Sequence, residues 1–217
     1  MIEQVIYDMD GLMIDSEPFW QQAQIMCFAQ VGIQLTVADC LETKGIRIDE
    51  IVAMRAEQAP KPYNQQQLTT QIVDHLIELI ETQGQALPGL QESLRLWEQL
   101  EKPVHLASSS SFRIIEAVLR KLDLHGVFNT IHSAEKETFG KPHPAVYLST
   151  AKLIGVAPQK CLALEDSLNG GIAAKAAQMK LIVVPEDQGD HRFGFADLQL
   201  NSLLDLTTEA LKAKGFV

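Results

Sequence analysis

Val5-Ile6-Tyr7-Asp8-Met9-Asp10-Gly11-Leu12-Met13-Ile14-Asp15-Ser16 opens the 217-residue chain with a short apolar run that delivers two carboxylates, one residue apart, onto a glycine. An apolar run rich in β-branched residues and ended by glycine predicts a buried strand that stops where its acids begin. Those acids then stand at the strand's carboxyl end, the edge at which open α/β sheets gather ligands. A carboxylate placed there can be a nucleophile, a metal ligand or both. Read alone, the pattern is equally well an acidic turn, because Asp and Gly are common turn residues.

Three later stretches bear on that choice. Val104-His105-Leu106-Ala107 is a second apolar run, ending in Ser108-Ser109-Ser110-Ser111 before a helical pattern. Gly140-Lys141-Pro142-His143-Pro144 sets a lysine in a loop that opens another helix, and Cys161-Leu162-Ala163-Leu164 is a third buried-strand candidate, ending in Glu165-Asp166-Ser167. A nucleophilic carboxylate, an anion-binding hydroxyl, a cation and a second pair of acids are the inventory of metal-assisted phosphoryl transfer. In these motifs, in this order and over nearly its whole length, the chain resembles the haloacid dehalogenase-like (HAD) hydrolases.

By that resemblance Asp8 is the nucleophile that becomes an aspartyl-phosphate, and Asp10 the general acid/base that protonates the leaving alcohol and then deprotonates the hydrolytic water. Asp8, the main-chain carbonyl of Asp10 and Asp166 correspond to ligands of Mg²⁺, the implied cofactor, with Glu165 a partner in the outer layer or through water. Hard oxygen donors suit that ion. Ser108 and the amide that follows it, that of Ser109, correspond to the grip on a phosphoryl oxygen, and Lys141 to the neutralising charge on nucleophile and phosphate. From the residues alone, Ser108 is also a candidate helix N-cap and Lys141 a candidate surface lysine.

Composition is that of a globular protein, 46% hydrophobic with mean hydropathy near zero. No apolar run approaches the ~18 residues of a membrane span. The first residues lack a signal peptide's cationic flank and apolar core. Cys27, Cys40 and Cys161 show no metal spacing and read as reduced core thiols, so a cytoplasmic location is expected. The excess of 28 acids over 18 bases, a net charge of −10, opposes non-specific binding to nucleic acid or anionic membrane. A monomer acting on a small phosphorylated carbohydrate is the expectation.

Between the first motif and Leu87-Pro88-Gly89 the pattern is helical throughout, with amphipathic stretches at Glu17 to Val31, Ile46 to Ala59 and Gln65 to Ile80. Beyond Pro88, apolar runs alternate with helical stretches, as a parallel βαβ sheet requires. The predicted fold is therefore α/β, a doubly wound parallel sheet formed by residues 1–15 and 85–217, with an α-helical cap at 16–84 and hinges near Asp15-Ser16 and Gly84 to Pro88. Gln21-Gln22 and Gln65 to Gln67 read as solvated helix faces. The resemblance extends to the HAD subgroup whose helical cap closes over the substrate.

Substrate choice is expected in that cap. Lys44-Gly45-Ile46-Arg47 is a candidate specificity loop in which Lys44 or Arg47 contacts a hydroxyl or a second anionic group, or is simply an exposed base at a helix start. Phe19 and Trp20 form an apolar wall over the substrate or belong to the cap's own core. β-Phosphoglucomutases of the same capped group carry a His where Trp20 stands, five residues after Asp15. An indole cannot exchange protons, so a phosphatase is favoured over a mutase.

The phrases DMDGLMIDSEPFW, SAEKETFGKPHPAVYL and ALEDSLNGGIAAKAA are similar to the bacterial 2-deoxyglucose-6-phosphatase and hexitol phosphatase group. That similarity implies small sugar or sugar-alcohol phosphates as substrates. The histidines show no metal spacing, and His143 is a candidate buttress of the Lys141 loop. A response-regulator receiver shares an acceptor Asp, Mg²⁺, Ser/Thr and Lys, but lacks a second acid two residues on and a long helical insertion. A haloalkanoate dehalogenase needs neither Asp10 nor the Glu165-Asp166 pair.

Overall fold

The computed structural model describes residues 2–217. In chain order the elements are β1 (Gln4–Tyr7), α1 (Glu17–Gln30), α2 (Val37–Leu41), α3 (Ile48–Arg55), α4 (Gln65–Gln83), α5 (Leu90–Gln99), β2 (Val104–Ser108), α6 (Phe112–Lys121) and β3 (Thr130–Ser133). They continue as α7 (Ala145–Leu153), β4 (Cys161–Glu165), α8 (Leu168–Ala176), β5 (Lys180–Val183), β6 (Leu198–Gln199) and α9 (Thr208–Ala213). The strands form one parallel sheet in the order β3-β2-β1-β4-β5-β6. This is the doubly wound α/β sheet expected from the alternating pattern.

Strands β2 and β4 are buried along their whole length, as parallel strands covered on both faces must be. Side chains alternate between the two faces. Val5, Tyr7, Leu106, Leu162 and Leu164 pack into one core with Trp97 and Val118, while Ile6, Ala107 and Ala163 face a second with Tyr147, Ala173 and Ala174. The alanines on that second face let α7 and α8 lie close to the sheet.

Chain order reverses at β1, which pairs with β2 through Val5–Val104 and with β4 through Val5–Leu162. Such a switch point opens a crevice beyond the strands' carboxyl ends. Asp8, Ser108 and Glu165 lie at that edge because each ends, or directly follows, one of these three strands.

Helices α1 to α4 are inserted between β1 and α5. The chain leaves and returns side by side, through a bridge between Ile14 and Ala86 and a bond from the Asp15 amide to the Gln85 carbonyl of 3.3 Å. Ala23, Cys27, Phe28, Val52, Ile72 and Leu76 are buried between the inserted helices. Gln65 to Gln67 are exposed, and Asn64 caps α4 by accepting from the Gln67 amide.

The stretch expected as one helix to Ala59 breaks at Arg55 into a 3₁₀ turn, and α4 runs three residues beyond Ile80, to Gln83. All three cysteines are free and buried. No helix among the described residues is long and apolar enough to cross a membrane.

Candidate active site

Asp8 follows β1 directly, and its amide continues the ladder to the Leu164 carbonyl at 2.9 Å, so the backbone holds the carboxylate at the sheet edge. Lys141 reaches it from the loop before α7. Its ammonium lies 2.7 Å from Asp8 Oδ1 and 2.7 Å from Glu165 Oε1, and donates to the Ala107 carbonyl at 3.3 Å. Glu165 Oε1 also accepts from the Tyr147 hydroxyl at 2.5 Å. The second carboxylate oxygen of Asp8 is free of this knot, and Asp8 lines the cavity above it.

Asp166, next to Glu165, is buried; the Lys44 ammonium stands 2.8 Å from Oδ2, and Oδ1 has no partner. Two glycines make room for these acids. Gly11 has φ +75°, and a Cβ there would overlap the Asp166 carboxylate; a Cβ on Gly170 would overlap that of Glu165.

Asp8, Glu165 and Asp166 each offer an oxygen within 4.8 Å of the others. Burial pushes the Asp8 carboxyl well above its ordinary range and Glu165 adds to this, while Lys141 partly offsets it. Burial likewise lifts Asp166 to about 6, with Lys44 opposing and Glu165 reinforcing. Burial would lower the Lys141 ammonium, but Asp8 and Glu165 outweigh it and hold the lysine charged. Three buried acids face the buried Lys141 ammonium and, at the rim, that of Lys44, which leaves negative charge in excess, and Asp166 Oδ1 is a hard donor without a partner, so the residues fit a divalent cation of the magnesium type.

The Asp10 side chain stands apart from that cluster. Oδ1 accepts from the Ser16 hydroxyl at 2.6 Å and the Trp20 indole N–H at 3.0 Å, and Oδ2 from the Ser110 hydroxyl at 2.7 Å. Trp20, expected as an apolar wall or as core, lines the cavity and also orients Asp10. Ser108 ends β2, and its hydroxyl accepts from the Ser110 amide at 3.0 Å; the cap of α6 is Ser111. Ser109 donates to the Gly45 carbonyl at 2.9 Å, tying this loop to the inserted helices.

A cavity of about 40 Å³ remains between these groups, lined by Asp8, Asp10, Trp20, Lys44, Ser108 and Ser109 among others. It has space for only a few waters. Lys44 lies at its edge, against Asp166. Arg47 is turned away: its planar fork takes the carbonyls of Ala134 and Glu137 and the Asp49 carboxylate instead. His143 sits in the loop after Lys141 and accepts from the Ala145 amide at 3.3 Å; among the described residues no histidine lines the cavity.

Three further residues emerge only from the structure. Glu17 lines the cavity, and burial pushes its carboxyl up to about 7, with Lys44 opposing and Asp166 reinforcing. The acid directly after Asp15-Ser16 was the available sign. Ser110 was one of four adjacent serines, with nothing to single it out. Tyr147 looks in sequence like any core aromatic.

The fold and this edge belong to a known class. Residues 2–178 match the haloacid dehalogenase-like hydrolase family, and the chain belongs to it. It is accordingly a phosphoric monoester hydrolase by class. Hexitol phosphatase B of Escherichia coli K12 is 43% identical over 212 residues, covering 95% of each chain. Among solved structures, CbbY from Rhodobacter sphaeroides in complex with phosphate aligns with TM-score 0.88 and 25% identity over 98% of this chain and 100% of that one. A β-phosphoglucomutase from Clostridium difficile aligns with TM-score 0.87 and 27% identity, covering 99% of this chain and 97% of that one.

Proposed function

We propose that the protein is a magnesium-dependent phosphatase of small phosphorylated sugars and sugar alcohols, of the hexitol phosphate and 2-deoxyglucose 6-phosphate type, acting through an aspartyl-phosphate on Asp8. The observation that carries this reading is the buried Asp8 held at 2.7 Å by Lys141, with Asp10 lining the same cavity on a separate set of hydrogen bonds. The likeness to hexitol phosphatase B supports the substrate class.

The free oxygen of Asp8 attacks phosphorus as the ester P–O bond breaks, and the departing alkoxide takes a proton from Asp10. Water then attacks the phosphoryl group, gives a proton back to Asp10, and the bond to Asp8 breaks, releasing inorganic phosphate. Ser108 and the Ser109 amide hold a phosphoryl oxygen, and Lys141 carries the compensating charge. Asp8, Asp166 and the Asp10 carbonyl, with Glu165 behind them, would hold Mg²⁺, which would supply further charge neutralisation. Trp20 and Ser16 keep the Asp10 carboxylate aimed.

A cavity of about 40 Å³ cannot take a hexitol phosphate, so residues 16–84 act as a cap that lifts from a core of residues 1–15 and 85–217. The adjacent crossings at Ile14 and Ala86 suit a double hinge. Lys44, on the cavity edge, is the cap residue placed to meet substrate. Buried free thiols suit a reducing cytoplasm, and the cavity is built from one chain, which suits a monomer.

The test is phosphate release from hexose, pentose and hexitol phosphates with Mg²⁺ and with chelator, while glucose 1-phosphate is followed for isomerisation. Magnesium-dependent release across several sugars is expected. Isomerisation without release would replace the phosphatase by a mutase, the reading that the β-phosphoglucomutase likeness favours. Undiminished release in chelator would remove the metal.

A further inference from the structure

The residues between β3 and α7 bring Lys141 to Asp8, and the first turn of α3 grips them from the opposite side. Arg47, the N-cap residue of α3, donates through one nitrogen to the carbonyls of Ala134 at 2.8 Å and Glu137 at 2.7 Å. Its other nitrogens are clamped by Asp49 at 2.9 and 2.6 Å, which fixes the plane of the fork. One turn on, Glu50 Oε1 accepts from the amide of Gly140, the residue before Lys141, at 2.7 Å. Gly140 is buried, and a Cβ there would stand 2.9 Å from Glu50 Oε2 and 3.2 Å from Arg47 Cβ.

The gripped segment is also wired into the serine loop. Ser133 donates to the Ser110 carbonyl at 2.6 Å, and Glu135 accepts from the Phe112 amide at 2.9 Å. His132, in β3, pairs with Glu137 of the segment at 2.6 Å. One turn of an inserted helix therefore touches, directly or through one further bond, the elements carrying Lys141 and Ser110.

We propose that Arg47 and Glu50 are positioning residues: they form a latch by which seating of the inserted helices fixes residues 134–140, and with them Lys141, for the reaction. All three bonds across the joint go to main-chain groups, so the latch reads backbone shape and is blind to the sugar. Arginine suits the task because its fork serves two carbonyls and a carboxylate at once, whereas a lysine ammonium lacks that fixed geometry. A side chain at 140 would press on the Glu50 carboxylate and on Arg47 Cβ, the two residues that make the joint. This inference rests on the role given to Lys141 under the phosphatase reading.

The experiment combines kinetics with hydrogen exchange on the full chain, comparing wild type with Arg47→Met, Arg47→Lys, Glu50→Gln and Gly140→Ala. Loss of the latch should lower kcat/KM by about ten- to a hundredfold, and to the same extent for hexitol phosphates, hexose phosphates and p-nitrophenyl phosphate. Amides of residues 134–140 should exchange faster in Arg47→Met and Gly140→Ala, with Arg47→Lys intermediate. A loss confined to substrates with many hydroxyls or a second phosphate would make Arg47 a substrate ligand and overturn the latch. So would unchanged exchange at 134–140 in a folded variant. The exchange readout needs no turnover; a wild-type enzyme that releases no phosphate would instead reject the phosphatase reading.

Discussion

At the carboxyl ends of β1, β2 and β4, side chains of opposite charge meet directly and out of water: Lys141 binds Asp8 and Glu165, and Tyr147 donates to the same glutamate. The inserted helices meet that edge in another way. Apart from the pairs of Lys44 with Asp166 and Glu186 and the bonds of Ser16 and Trp20 to Asp10, their bonds to the loops around the cavity join a side chain to a main-chain group: Arg47 to Ala134 and Glu137, Glu50 to Gly140, Ser109 to Gly45, Asn169 to Lys44. The floor depends on the identity of every member, because removing one strands a buried charge. The roof depends on a few anchors and on backbone shape, so most of its side chains can change without disturbing the floor. Under the proposed function, reaction type belongs to the floor and the choice of sugar to the roof.

That division can be attacked from its strongest point. Asp8→Asn should lower turnover at least about a thousandfold on every phosphate ester while leaving the fold intact, since an amide cannot form the acyl-phosphate. Steady-state phosphate release with circular dichroism checks both halves, and near-normal activity in a folded variant would end the nucleophile assignment.

Lys141→Met should destabilise the metal-free protein by about 3–5 kcal/mol, because Asp8 and Glu165 lose their shared cation. Mg²⁺ should return part of the loss by supplying positive charge to the same acids. Denaturant melts with and without Mg²⁺ give the comparison; a melt unchanged from wild type would show that the floor does not depend on this lysine.

Trp20 spans the two regions, since it belongs to α1 and donates to Asp10 in the floor. Trp20→Phe keeps an aromatic ring and removes the N–H. Turnover of hexitol phosphates should fall about tenfold, and that of p-nitrophenyl phosphate far less, because a good leaving group hardly needs the acid. Equal losses on both would mean that the indole serves packing alone.

The smallest effect concerns Glu17, whose folded-state carboxyl titrates at about 7 against an ordinary 4.5. The raised value means that the native state holds its proton more tightly than the unfolded chain. Stability should therefore be lost as pH rises from about 4.5 to about 7, and no further above that. Asp166, raised to about 6, acts with the same sign. Glu17→Gln should remove about 1–2 kcal/mol of that loss in metal-free protein, less than the full shift would give because the group is partly exposed to solvent. Thermal melts across this pH range decide it, and parallel curves for variant and wild type would count against the burial of that charge.

The contrast between floor and roof also explains what could be read from the sequence. Asp8, Ser108 and Glu165 lie at or just beyond strand ends, and a parallel sheet gathers such ends at one edge whatever the loops do, so short apolar runs with their terminal groups suffice to place them. Lys141 was legible through the family resemblance, since from the residues alone it was also a candidate surface lysine.

Arg47 was placed near the substrate on the strength of its charge and loop. Its direction is set by carbonyls nearly ninety positions away, which no local pattern contains. Trp20 was legible as an aromatic on a helix, but its bond to Asp10 depends on how α1 docks after Ser16. Ser110 and Tyr147 were hidden for the same reason: a serine among serines and a tyrosine on a helix acquire their partners only through packing. The inserted helices themselves followed from amphipathic spacing, while the break at Arg55 reflects the turn that leads into Ala59-Pro60, where a proline cannot continue a helix.

The most direct test of Asp8 as the covalent centre is to mix enzyme with Mg²⁺ and a hexitol phosphate, quench in acid within milliseconds and map the phosphorylated peptide by mass spectrometry. A phosphoryl group on Asp8 that forms before phosphate appears, and that is missing in Asp8→Asn, is the predicted result. Phosphate release with no acid-trapped group on Asp8, or a group found on one of the serines at 108–111, would contradict it.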